Sequence, residues 1–150
     1  MRPPMEDVLA AAAALRDALR AESARAGAVP EALRALDAAR IFEGASARAG
    51  FNAQVAALQE RLAAALARAA PGGEATLSRL RARAPGAADA LGVLLADVRA
   101  LAARIAERDR INLALAAGAR ACVEGYLAAL SPRPAAYDRR GAPAAAARRA

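Results

Sequence analysis

From Leu91 to Tyr126 one heptad register is kept: Leu91, Leu94, Val98, Leu101, Ile105, Asn112, Leu115, Ala119, Cys122 and Tyr126, with only Arg108 breaking it. Steps that alternate between three and four residues return to one face of an α-helix, whereas a strand repeats every two. At about 1.5 Å of rise per residue this helix is on the order of 60 Å long. A domain of 150 residues cannot surround such a rod. The rod has to pair lengthwise with the rest of the chain, and the class is therefore all-α.

The first half offers the partner. Val8, Ala12, Leu15 and Leu19 repeat the same spacing between about Met5 and Ala26. Gly27 and Pro30 interrupt, and proline suits a first helical position. Leu33, Leu36 and Ile41 follow nearly in phase, which fits one kinked helix or two coaxial ones. Gly44 and Gly50 weaken the next stretch, after which Phe51, Val55, Leu58, Leu62 and Leu66 form a clear stripe. Ala70-Pro71-Gly72-Gly73 reads as a turn, a short helix from Glu74 to about Ala84 follows, and Pro85-Gly86 closes it. The expected architecture is a long antiparallel helical hairpin, a coiled-coil-like bundle with a short intervening helix. Ser131-Pro132-Arg133-Pro134 ends the last helix. The expected organisation is a helical domain over 1–131 and a disordered basic tail over 132–150.

Composition narrows the function. Alanine fills 52 positions, so the hydrophobic share of 57% overstates the core, which rests on scattered Leu, Val and Ile. The chain has no His, which removes the commonest general base and metal ligand. Its single cysteine, Cys122, excludes an internal disulfide, and on the seam it reads as a small buried hydrophobe. Glu6, Asp7, Asp17, Glu22, Glu31 and Asp37 alternate with Arg as solvated faces do, with no carboxylate pair set for acid–base work. Gly72-Gly73 lacks the Gly-Lys-Ser/Thr continuation of a phosphate loop. The reading is a non-enzymatic protein with no cofactor, metal or small-molecule substrate.

The net charge is +7, with arginine as the only basic residue type besides the chain terminus. Such a balance permits an acidic partner, an anionic surface or nucleic acid. It equally fits the Ala- and Arg-rich coding of a GC-rich genome. Arg139, Arg140, Arg148 and Arg149 could touch phosphates, but no interleaved aromatics offer stacking for bases, which weighs against nucleic acid. Acidic residues near the start do not resemble a signal peptide, and charges interrupt the apolar stretches, so a cytoplasmic protein without stable membrane insertion is expected.

The most suggestive region runs from Leu113 to Tyr137. Leu113, Leu115, Val123, Tyr126, Leu127 and Leu130 cover more than one stripe of the last helix. One stripe serves the internal pairing, and a second stays open unless a partner helix covers it. Asn112, on the seam, either sets register from a buried position or sits on the exposed side. Tyr137, in the basic tail, suits an anchor for a partner.

These passages resemble the FlgN-type flagellar export chaperones. Leu19-Arg20-Ala21-Glu22, then Gly27-Ala28-Val29-Pro30-Glu31-Ala32-Leu33 and Leu36, is similar to that family's Leu-x-x-Glu helix, small-residue break and leucine restart. Glu107-Arg108-Asp109-Arg110-Ile111-Asn112-Leu113 resembles its Asn-rich entry into the last helix, although Asp109 replaces a frequent first Asn. Tyr137-Asp138-Arg139-Arg140-Gly141 resembles its Tyr-x-x-x-Gly signature. The resemblance implies a chaperone that binds the C-terminal helical segment of hook-associated (hook–filament junction) proteins, keeps them unassembled and delivers them to the flagellar export gate and ATPase complex. It places the cargo on Asn112, Leu115, Val123, Tyr126, Leu127 and Leu130, and gate docking on Tyr137 and Gly141. The rival readings are a self-associating structural coiled coil and a basic nucleic-acid-binding helical protein.

Overall fold

A computed structural model describes residues 4–73 and 75–130. Among these residues five helices follow in order: α1 (Pro4–Arg25), α2 (Val29–Arg34), α3 (Ala38–Ala69), α4 (Leu77–Arg83) and α5 (Pro85–Leu130). No strand occurs among the described residues, and the all-α class is as expected. At about 1.5 Å per residue, the 46 residues of α5 extend roughly 69 Å.

Local chemistry sets the helix ends. Glu6 and Asp7 lie in the first turn of α1, where the positive end of the helix dipole favours acids. Pro30 falls in the first turn of α2. Asp37 caps α3 by accepting a hydrogen bond from the Arg40 amide at 3.1 Å, and so is no mere solvated acid. Thr76 caps α4 in the same way through Oγ1, at 3.3 Å from the Arg79 amide. Pro85 begins α5 immediately after Ala84 closes α4, a position where its missing amide proton costs nothing.

The coaxial continuation suggested by the phase of Leu33, Leu36 and Ile41 does not occur. The chain reverses between Ala26 and Asp37, and α3 returns antiparallel along α1. Asp7 near the start of α1 meets Arg68 near the end of α3 at 3.5 Å, while Glu22 near the end of α1 meets Arg48 at 2.6 Å. The reversal is made by the end of α2. The Leu36 amide donates to the Leu33 carbonyl (3.2 Å) and the Asp37 amide to the Ala32 carbonyl (3.0 Å), with Leu36 at φ 50°. This is a Schellman-type stop, and it normally carries glycine at that position. Gly44 and Gly50, by contrast, lie within an unbroken α3.

Helix α1 is the shared partner of the two long helices. Its Val8, Ala11, Ala12, Leu15 and Leu19 are buried against Leu62, Ala65 and Ala69 of α3 and Ala88, Leu91 and Ile105 of α5. Val8, Ala12 and Ala88 are fully enclosed, at 0% exposure. Alanine at such points lets helix axes approach closely, and the leucines interdigitate beside it. Leu80 of α4 plugs the end of the hairpin at 2% exposure. The core is therefore concentrated at the turn end, and burial thins toward the tip of α5.

Candidate partner-binding surface

The stripe of α5 changes partner twice along its length. Leu91, Leu94, Val98, Leu101 and Ile105 belong to the core with α1. Asn112, Leu115 and Ala119 are half-buried, and the last two line a groove with Leu33, Arg34 and Leu36 at the end of α2. The groove reaches as far as Cys122, and beyond it no described residue lies over the helix. Val123, Tyr126, Leu127 and Leu130 are exposed at 42%, 67%, 57% and 62%. With 100° per residue these four share one face with Asn112 and Leu115, so the site residues read from the sequence form one continuous stripe. Two of them are packed and four are not. Leu113, on the flank, is 76% exposed.

Cys122 is exposed, not buried as the seam suggested. The register is right, but Cys122 only borders the groove at the end of α2 and is not covered by it. Tyr137 and Gly141 lie outside the described residues, as do the stretch 132–150 and its expected disorder. The helix also contains a window that by length and composition is apolar enough to cross a membrane, with mean hydropathy 1.4 and no part buried. Residues 113–130 carry only Arg120 and Glu124 as charges. These pair at 2.7 Å on the exposed side, which blunts the interruption expected from them.

A polar cluster that the sequence does not advertise sits where this surface meets the bundle. Glu22, which reads as a solvated acid, is only 4% exposed. Its two oxygens accept hydrogen bonds from Arg25 Nε (2.9 Å) and Arg25 Nη2 (2.6 and 2.8 Å), and Oε1 also accepts from Arg48 Nη1 (2.6 Å). The other Arg48 nitrogen donates to Asp109 of α5, and Arg25 Nη1 donates to the Gly44 carbonyl at 3.1 Å. The Arg48 guanidinium also stands 5.2 Å from the centroid of the Phe51 ring. One arginine thus ties α1, α3 and α5 together through charge-assisted bonds. Arg108, the break in the seam, reaches toward the end of α1; a methyl group at Gly27 would stand 2.5 Å from its Nη1. Further out, hydrogen bonds from Arg110 and then its charge hold the Glu107 carboxyl below its ordinary value.

No group of three or more Cys, Asp or Glu side chains able to hold a metal occurs among the described residues. The arrangement is suited to holding another helix, because it presents an apolar stripe already used twice by this chain for that purpose. Comparison with family models, with curated proteins and with solved structures found no match for this chain.

Proposed function

We propose that this protein is a helix-binding chaperone of the flagellar export class. It holds the C-terminal helical segment of hook-associated proteins, keeps them unassembled in the cytoplasm, and hands them to the export gate and its ATPase complex. One observation carries the reading: a single face of α5 is covered first by α1, then by α2, and over its last two turns by none of the described residues. A helix from a partner continues the same packing pattern by helix-in-groove recognition. The resemblance at Glu22, Asn112 and the Tyr137-to-Gly141 segment supplies the identity of the client and gives Tyr137 and Gly141 the role of docking to the gate.

Self-association through the same face is the structural rival. A standard stable interface takes about 800 Å² from each partner. Four partly exposed side chains on two turns fall short of that, and a transient client complex needs less. The basic charge does not favour nucleic acid either. Five arginines and one aspartate beyond Leu130 account for +4 of the +7, which leaves the helices nearly neutral.

The test is co-purification of hook-associated proteins from an extract of the source cells. The unmodified protein should recover them, and Leu127→Ala/Leu130→Ala, folded and melting at the same temperature, should not. Recovery of only further copies of the chain, or of nucleic acid, removes the proposal.

A further inference from the structure

The solvated face of α5 loses its charges where the helix leaves the bundle. With 100° per residue, the exposed Arg99, Arg104, Glu107 and Arg110 share the face turned away from α1. Across residues 113–130 the same face consists of alanine and glycine alone, among them Ala114, Ala117, Ala121, Gly125 and Ala128. The leucine stripe lies opposite. The only two charges, Arg120 and Glu124, sit on the flank between the faces and pair with each other at 2.7 Å. The helix therefore contains a window of 18 residues with mean hydropathy 1.4, none of it buried. A helix apolar on all sides is normally enclosed by protein or by lipid. Here no described residue covers α5 past Cys122, and α2 covers one side only before it. A client helix fills one stripe and gives no reason for an uncharged face on the other side.

We propose that the end of α5 binds reversibly to the surface of an anionic lipid bilayer, lying within one leaflet just below the headgroups. Charge complementarity selects the lipid. Residues 131–150 follow the apolar helix directly and carry five arginines against one aspartate. An apolar helix and an adjoining basic segment together supply the two signals that attachment to a membrane surface takes. Tyr126, exposed among the leucines, is of the type that favours the boundary between lipid and water. Length alone permits a crossing, since eighteen residues rise about 27 Å against a hydrocarbon core of about 30 Å. The charge opposes it, because a crossing carries the five arginines through the hydrocarbon. The helix therefore lies along the interface, with the arginines at the headgroups. This inference does not rest on the client reading, although Leu127 and Leu130 serve both.

The experiment sediments the full chain with vesicles of phosphatidylglycerol and, separately, of phosphatidylcholine. A fluorophore on Cys122, the exposed and only cysteine, reports position through quenching by acrylamide. The anionic vesicles bind the chain at least about tenfold more tightly than the neutral ones, and added salt narrows the difference. On them the Cys122 fluorophore is shielded, while one on the exposed α3 position of Glu60→Cys, made with Cys122→Ser, stays accessible. Replacing Arg133, Arg139, Arg140, Arg148 and Arg149 together by Gln brings the two affinities together. Ala121→Gln/Ala128→Gln, at exposed positions away from the client stripe, weakens binding to both lipids about tenfold, since it places amides in the leaflet. Both variants leave the recovery of hook-associated proteins unchanged, so the lipid surface and the client surface stand or fall separately. Equal affinity for the two lipids overturns the proposal, as does no binding to phosphatidylglycerol. A Cys122 fluorophore still accessible on anionic vesicles overturns it too, because the basic segment alone then adsorbs. So does a Cys122 fluorophore shielded before any lipid is added, because a second copy then covers the helix.

Discussion

At the scale of single residues, Glu22 and Leu36 each break a rule of sequence and hold the junction in place. Burying a carboxylate is costly unless it is paired and fully hydrogen-bonded, and Glu22 meets both conditions through Arg25 and Arg48. The two arginine side chains keep about a third of their surface in water (33% and 30%), so they can solvate when the glutamate is removed. Glu22→Gln should therefore cost about 1–3 kcal/mol in urea denaturation, less than the about 3–5 kcal/mol of a fully buried broken pair. A cost near zero means that the pair only matches what water offers. Leu36 sits at φ 50°, a conformation that costs an L-residue about 1–2 kcal/mol and glycine almost nothing. Comparing Leu36→Gly with Leu36→Ala removes the side-chain term. The glycine variant should be the more stable by about 0.5–1 kcal/mol, the reverse of the order in a helix interior. Melting the two variants side by side reads the sign directly.

At the scale of elements, the two ends of α5 differ in what their side chains contribute to stability. Leu91 is 1% exposed in the core, and Leu91→Ala should cost about 2–5 kcal/mol. Leu127→Ala and Leu130→Ala remove side chains that already face water, so each should shift stability by under about 0.5 kcal/mol while removing client binding. A comparable stability loss at both ends would mean that another part of the chain covers the tip. The seams of α1 and α5 were legible in the sequence because Val8, Ala12, Leu15 and Leu19, and Leu91 through Ile105, keep their register and pack as it implies. The breaks at Pro30 and Pro85 were legible for the same local reason. The reversal after α2 was not. It is built on a leucine in a glycine conformation, and the heptad phase carries through it, so periodicity sees a continuous helix where the chain turns back. Glu22 was hidden for a different reason. Pattern reading assigns an acid to solvent, and the arginine that completes its burial lies 26 residues away and is itself fixed by an aspartate 61 residues further on. Cys122 shows the limit of a register: it tells which face a residue is on, not how far the covering helix extends.

At the scale of the whole molecule, stability should fall in one direction along the bundle. The closed end joins α1, α3, α4 and α5 through fully enclosed side chains, among them Val8, Leu80, Ala88 and Leu91. The middle rests on Ile105, Leu33 and the Glu22 cluster, and past Ala121 every residue of α5 is exposed. An isolated helical segment of about eight residues is marginal in water, so the tip owes its helicity to the long helix it extends. Amide hydrogen exchange measures such a gradient, because each amide reports the free energy of the smallest opening that exposes it. Amides around Leu15, Leu62 and Leu91 should exchange only by global unfolding, those around Asn112 to Ala116 at intermediate cost, and those from Val123 to Leu130 by fraying at almost none. Addition of a client helix should slow exchange selectively over 123–130 and leave the closed end unchanged, since it supplies the packing that α1 and α2 give the rest of the stripe. Uniform slow exchange along α5 in the free protein would mean that the tip is already covered, by a second copy or by the chain itself, and the partner surface would have to be sought elsewhere.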